Sequence, residues 1–196
     1  MTLPPSSSTL ILKGIPASPG IAVGKAFVIS TESPAVTLER IELPEIPAEI
    51  ARFRSAVDAT TAELAHAAEL ARRESSTVGS IIDSYLLIAN DPMMLKGVER
   101  RIERGTPAET AVQQEFDVHK STLYQAKDAF LRERVQDFDH VMERVIAGLR
   151  NLTLSREEAV DSIVVSGSVT PQDMIFFKQL TTLGYVTEIG GINSHS

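Results

Sequence analysis

The sequence predicts an α/β domain cut in two by an inserted all-α domain of about four antiparallel helices. Three observations predict it. Residues 10–30, LILKGIPASPGIAVGKAFVIS, mix β-branched residues with Gly and Pro, as short strands and tight turns do. Residues 47 to about 150 hold few glycines and repeat apolar residues at helical spacing. From Asp161 onward strand texture returns, as SIVVSG, a helix-like PQDMIFFKQL and a strand-like GYVTEIG. Strands before and after a helical block pair with one another or leave sheet fragments with unburied faces. The expected division is a loose tail over 1–10, a β/α domain from 11–45 and 151–196, and a helical domain over 46–150.

Within the helical zone each element has its own signal. After Pro47, the residues Ile50, Phe53, Val57, Thr61, Leu64, Ala68 and Ala71 recur at intervals of three and four, one stripe of a helix. A second helix is expected over Val78–Ala89, stopping at Asn90-Asp91-Pro92 because proline disfavours helical geometry in the residue before it. A third runs from about Met94 to Arg104 and ends at Gly105, a good left-handed cap. Thr106-Pro107-Ala108-Glu109 then reads as an N-cap hydroxyl, proline at the first helical position and a reciprocating Glu. That helix is expected to continue, with a possible break, to about Arg150, its core stripe being Phe130, Val135, Phe138, Met142, Val145 and Leu149.

Composition narrows the function classes. Apolar content of 43% and charged content of 23% are those of an ordinary globular chain. No cysteine is present, which excludes disulfides, thiol nucleophiles and thiolate metal sites and fits a reducing cytoplasm. No apolar run reaches the roughly 18 residues of a membrane span, and MTLPPSSST lacks the character of a signal peptide. A net charge of −7 with scattered Lys and Arg argues against nucleic acid and favours a basic protein partner.

Gly20–Lys25, GIAVGK, has three residues between its glycines and Ala26 after the lysine, so it is a turn and not a nucleotide loop. His66, His119 and His140 sit among charged residues of helices at no metal-binding spacing, and read as ordinary surface or boundary side chains. His195 differs. Gly190 and Gly191 let the backbone turn and bring N–H groups near an anion, while Asn193 and Ser194 add short polar side chains. An imidazole of pKa about 6.5 keeps a lone pair for attack on a phosphoryl group at neutral pH. Taken alone, the motif is weak and reads first as an ordinary loop. Ser194 beside His195 does not make a hydrolase pair, because such triads are assembled by folding.

Four collinear stretches from Lys13 to Ser196 change that balance. GIPASPGIAVGKA resembles the opening of enzyme I of the phosphoenolpyruvate:sugar phosphotransferase system. FLRERVQDFDHVMERVI resembles that family's helical segment, SVTPQDM its "LTPS" turn, and GGINSHS its phosphohistidine loop. The resemblance implies a discontinuous swivelling phosphohistidine domain interrupted by a helical domain. It implies that His195 takes a phosphoryl group from phosphoenolpyruvate and passes it to a histidine of the carrier protein HPr. By position, Tyr85, Leu86, Phe130, Leu131 and Arg134 would lie at or near the carrier face. Arg134 could approach the phosphoryl group or form an intrahelical ion pair with Asp137 or Glu133.

The chain departs from the family at Ser84-Tyr85, where Ala/Gly-His is common, and at Ser75-Ser76-Thr77-Val78, where acidic residues are frequent. Met174 replaces a hydroxyl residue and Asn193 a threonine. These changes bear on the identity of the carrier. The family's full-length enzyme has a C-terminal barrel that binds phosphoenolpyruvate and Mg²⁺ and drives homodimerisation. The expectation is that this chain is part of a longer protein, holds no metal itself, and transfers phosphate slowly or not at all alone. Two other readings are a non-catalytic carrier-binding module and the swivelling domain of a pyruvate-phosphate dikinase-like enzyme. The latter family lacks an inserted helical zone.

Overall fold

The computed structural model describes residues 10–29, 40–125, 134–150, 159–167 and 169–189. Among them are six α-helices: α1 (Ile46–Glu74), α2 (Ser76–Ala89), α3 (Pro92–Glu103), α4 (Ala108–Tyr124), α5 (Val135–Leu149) and α6 (Pro171–Gln179). Three strands accompany them: β1 (Lys25–Ile29), β2 (Ser162–Ser166) and β3 (Gly184–Thr187). The expected tail over 1–10 lies, except for Leu10, outside the described residues.

The stripe counted along α1 is the face it buries: Phe53, Val57, Leu64, Ala68 and Ala71 are all in the core, widened by Ala56, Thr60 and Ala67. Withdrawing a side chain such as Leu64 from water contributes about 2 kcal/mol. One extended residue, Ser75, reverses the chain, and its Oγ accepts from the Val78 N–H at 3.4 Å. Contacts from Arg72 to Asp83 and from Thr61 to Asn90 show that α2 runs back antiparallel along α1. Gly79 allows that approach, since a Cβ there would sit 2.6 Å from the Arg72 Cγ.

Pro92 not only stops α2 but opens α3, two residues earlier than expected. It occupies the first helical position, and the Asp91 carboxylate accepts from the N–H groups of Met93 (2.7 Å) and Met94 (3.4 Å). α3 ends as predicted at Gly105, whose φ of +88° is left-handed. The Gly105 N–H reaches the Ile102 carbonyl at 2.8 Å and the Thr106 N–H that of Arg101 at 3.1 Å, the paired bonds of a Schellman cap.

The capping box expected at Thr106–Glu109 does not form. α4 starts at Ala108 without a side-chain cap of its own, and the Ala108 N–H is taken by Glu49 Oε1 of α1 at 2.7 Å. Glu109 is drawn to Arg52, which holds it by two hydrogen bonds of 2.9 and 2.8 Å. Charge-assisted bonds across the bundle outweigh a local hydroxyl cap. The break anticipated in the last helix separates α4 from α5. In α5, Val135, Val145 and Leu149 are buried while Phe138 and Met142 pack against the core. Phe130 lies outside the described residues.

β1, β2 and β3 form one parallel sheet in that order, so a strand preceding the helices pairs with one following them. Residues 10–24, expected to include short strands, contain none; Gly20–Gly24 leads directly into β1. On one face Phe27, Val164 and Tyr185 stand in register, and α6 covers them through Phe177. The opposite face carries a row of Val28, Val165 and Val186, with Val28 65% and Val186 50% exposed. Parallel sheets are ordinarily covered on both faces.

Candidate functional site

All three strands point the same way, so their C-terminal ends share one edge of the sheet, where open α/β folds bind ligands. β2 ends there at Ser166, and α6 begins five residues later behind Thr170. Thr170 and Asp173 form a complete capping box: the Asp173 N–H donates to Thr170 Oγ1 and the Thr170 N–H to Asp173 Oδ2, both at 3.1 Å. The chain leaving β3 is fastened beside this turn. Glu188 N–H donates to the Ser166 carbonyl (3.2 Å) and Ile189 N–H to that of Gly167 (2.9 Å). The backbone is thus held beside the β2–α6 connection as far as Ile189. Gly190, Gly191, Asn193, Ser194 and His195 themselves lie outside the described residues.

Arg144 of α5 ties this corner to the bundle. Its Nε donates to Gln172 Oε1 at 3.1 Å, its Nη2 meets Asp173 Oδ1 at 2.5 Å, and its Nη1 lies 3.5 Å from Glu63 of α1. Gln172 is buried, and the bond from Arg144 fixes which end of its amide faces inward. Its Nε2 has no hydrogen-bond partner among the described residues. A void large enough for about one water separates α1, α2, α5 and the start of α6, lined by Leu64, Tyr85, His140, Val141, Arg144, Thr170 and Gln172.

Tyr85 points into the molecule. It is 3% exposed, its hydroxyl lies 3.3 Å from His140 Nδ1, and the two rings meet edge to face. Burial pushes the phenol pKa well above its usual value, and the carboxylates of Asp137 and Asp173 push it further the same way. Leu86 packs half-buried against the core. Arg134 donates to Ser84 Oγ and to Asp137 Oδ2, each at 2.9 Å. The ion pair with Asp137 that the sequence allowed is therefore present, and the contact with Ser84 joins α5 to α2. Phe130, Leu131 and Glu133 lie outside the described residues.

Besides Ser76, Thr77 and Ser80, α2 presents one large apolar side chain to solvent, Leu87, 76% exposed, which the sequence reading did not single out. A signal exists: Ile82, Tyr85 and Ala89 mark the buried stripe, and Leu87 falls off it. Met93, at the start of α3, is 72% exposed. The other histidines have structural neighbours. His66 lies 6.3 Å from the Phe176 ring, and His119 Nε2 is 3.6 Å from Glu115. Among the described residues no group of three or more His, Asp and Glu is placed to hold a metal ion. None of their helices is long and apolar enough to cross a membrane.

Comparison with known proteins places this architecture. The family described as PEP-utilising enzyme, N-terminal, matches residues 13–134. The chain is 33% identical over 189 residues to the phosphoenolpyruvate-protein phosphotransferase of Listeria innocua, covering 94% of this chain and 33% of that protein. The enzyme of the same description from Streptomyces coelicolor is 32% identical over 187 residues, with the same coverages. The chain thus spans about a third of the length of these relatives. Among solved structures, the solution structure of an Enzyme I protein matches with a TM-score of 0.76 at 32% identity, over 94% of this chain and 76% of that one. The N-terminal domain of a nitrogen-type Enzyme I shares the fold at 21% identity, with a TM-score of 0.69 over 92% of this chain and 75% of that one. The chain belongs to the family described as PEP-utilising enzyme, N-terminal, and is similar over nearly its whole length to part of the phosphoenolpyruvate-protein phosphotransferases.

Proposed function

We propose that this chain is the phosphohistidine-bearing part of a phosphotransferase that moves a phosphoryl group from phosphoenolpyruvate, through His195, to a histidine of an HPr-type carrier. The supporting observation is the strand end. The GGINSHS segment follows a strand fastened to the C-terminal edge of a parallel sheet, beside the capped start of α6. Backbone N–H groups at a glycine turn suit the anion that forms there. In the reaction a neutral ring nitrogen of His195 attacks phosphorus, the bond to the enol oxygen breaks, and the departing enolate takes a proton to become pyruvate. The carrier's imidazole then attacks the same phosphorus and restores His195. In this reading residues 46–150 dock the carrier, 11–45 and 151–196 carry the phosphohistidine, and phosphoenolpyruvate and Mg²⁺ bind outside this chain in a dimeric cytoplasmic enzyme.

The experiment is to incubate the chain, and a longer form that includes the donor-binding part, with phosphorylated HPr or with phosphoenolpyruvate and Mg²⁺. Acid-labile phosphate on the longer form, abolished by His195→Ala, is the expected result. A longer form that stays unlabelled with both donors overturns the phosphohistidine role. Carrier binding without any labelling supports a non-catalytic docking module instead.

A further inference from the structure

The first turn of α6 is gripped by one arginine of the bundle. Arg144 spends three different guanidinium nitrogens on three side chains: Nε on Gln172 Oε1, Nη2 on Asp173 Oδ1 and Nη1 toward Glu63 Oε2. Its side chain is only 17% exposed, so these contacts are largely sheltered from water. A guanidinium fork is planar and pre-formed, and it fixes several partners at once where an ammonium holds a point. Simply joining α6 to the bundle does not require it, because Ile175 and Phe176 already pack there through apolar contact. What the arginine adds is a defined position for the start of the helix.

Asp173 carries that position onward. Its Oδ1 faces Arg144, while its Oδ2 accepts from the Thr170 N–H at 3.1 Å and the Thr170 hydroxyl at 2.7 Å. Three residues before Thr170, the Gly167 carbonyl accepts from Ile189 N–H, and the Ser166 carbonyl accepts from Glu188 N–H. A path of hydrogen bonds and backbone therefore runs from α5, through one carboxylate and the β2–α6 connection, to the chain leaving β3. We infer that Arg144 is a positioning residue for the proposed phosphoryl transfer: through Asp173 and Gln172 it sets where the chain leaves β3, and so how His195 is presented. The inference rests on the phosphohistidine reading above and adds to it a residue of the helical bundle. The role needs no contact with phosphate or carrier. Displacing a reacting group by about 1 Å costs on the order of 100-fold in rate, so a support of this kind is felt in the chemical step.

The test follows labelling of the longer form, which includes the donor-binding part, by phosphorylated HPr in rapid-quench experiments over a range of carrier concentrations. Arg144→Gln should lower the limiting rate about 10- to 100-fold and leave the half-saturating carrier concentration within about twofold of its original value. Arg144→Lys keeps the charge without the fork and should recover little of that loss. Amide exchange should quicken at Glu188 and Ile189 and stay slow at Leu64, with circular dichroism as the check on folding. Asp173→Asn cuts the same path while keeping an oxygen for Thr170, and serves if Arg144→Gln does not fold. Where both fold, the double variant R144Q/D173N should be no slower than the slower single one, because both changes break one path. An unchanged limiting rate, a loss confined to the half-saturating concentration, full recovery in Arg144→Lys, or single losses that multiply in the double variant each overturn the inference. All four leave the phosphohistidine reading intact. An unsubstituted protein that takes no label at His195 overturns both.

Discussion

Phe176 and Phe177, adjacent on α6, serve different cores. Phe176 lies in the bundle core near His66, while Phe177 packs with Ala159 and Val164 and meets Tyr185 at a ring separation of 6.1 Å. Because α6 is short and its start is fixed by the box at Thr170 and Asp173, the two rings brace the sheet against the bundle.

Phe177→Ala should therefore act on the sheet. The expected loss is about 3–5 kcal/mol of local stability. Native-state hydrogen exchange should show β2 amides such as Val164 losing protection while α1 amides near Leu64 keep theirs. Equal loss in both regions would mean that one cooperative unit spans them.

Glu49 and Glu109 converge on Arg52, and hydrogen bonds from its guanidinium hold both carboxyls below the usual range. A lowered folded-state pKa gives stability that is present above the unfolded value of about 4.3 and is lost as pH falls through the folded one. Denaturant midpoints should fall between about pH 5 and 3, and Glu109→Gln should flatten that slope. Arg52 is partly exposed, so the cost of Glu109→Gln at neutral pH should be only about 1 kcal/mol. A slope unchanged by the substitution would show that this network does not set the acid stability.

Tyr85 behaves in the opposite sense. Its phenol pKa is raised by burial, so the contribution is present below the unfolded value of about 10 and lost as pH rises through the folded one. In an ultraviolet titration of the three tyrosines, one component should lag well behind about pH 10, and Tyr85→Phe should remove it. A lagging component that survives in the variant would assign the burial elsewhere.

Thr181, with φ of +55°, holds a left-handed conformation that β-branched residues avoid. Its hydroxyl bond to Asp161, itself at φ of +51°, is exposed and weak at 3.2 Å. Thr181→Asn, a residue that tolerates this region, should stabilise the protein by about 0.5–1 kcal/mol. The thermal midpoint is the readout, and a fall would show that the hydroxyl bond matters more than the strain.

Elements whose cause is local are legible in the amino-acid order. The stripe from Phe53 to Ala71, the stop at Asn90 and the cap at Gly105 depend on residues a few positions apart, and each stands where spacing puts it. Local patterns mislead where a distant side chain competes. Thr106–Glu109 has every local mark of a capping box, yet Glu49 and Arg52, more than fifty residues away, take its donor and its acid. The strand texture of residues 10–24 likewise gives no strand, because β-structure needs a partner and, among the described residues, β1 is the strand that pairs with β2 on that side. For the site, the strand approaching the loop was legible through GYVTEIG, and the helical period of Ile82, Tyr85 and Ala89 separates Leu87 from the buried stripe of α2. Arg144 gave no signal, since its three contacts come from α1 and α6, both distant from it in the sequence.

Among the described residues the valine row on the second face of the sheet stands open, which gives them two unlike surfaces toward solvent. Their helical end is wetted and highly charged, while the strand end wears a greasy panel that water will shun. In dilute solution the panel should light up a hydrophobic dye such as ANS without any unfolding. Val28→Thr with Val186→Thr should darken it while leaving the helical ellipticity as it was.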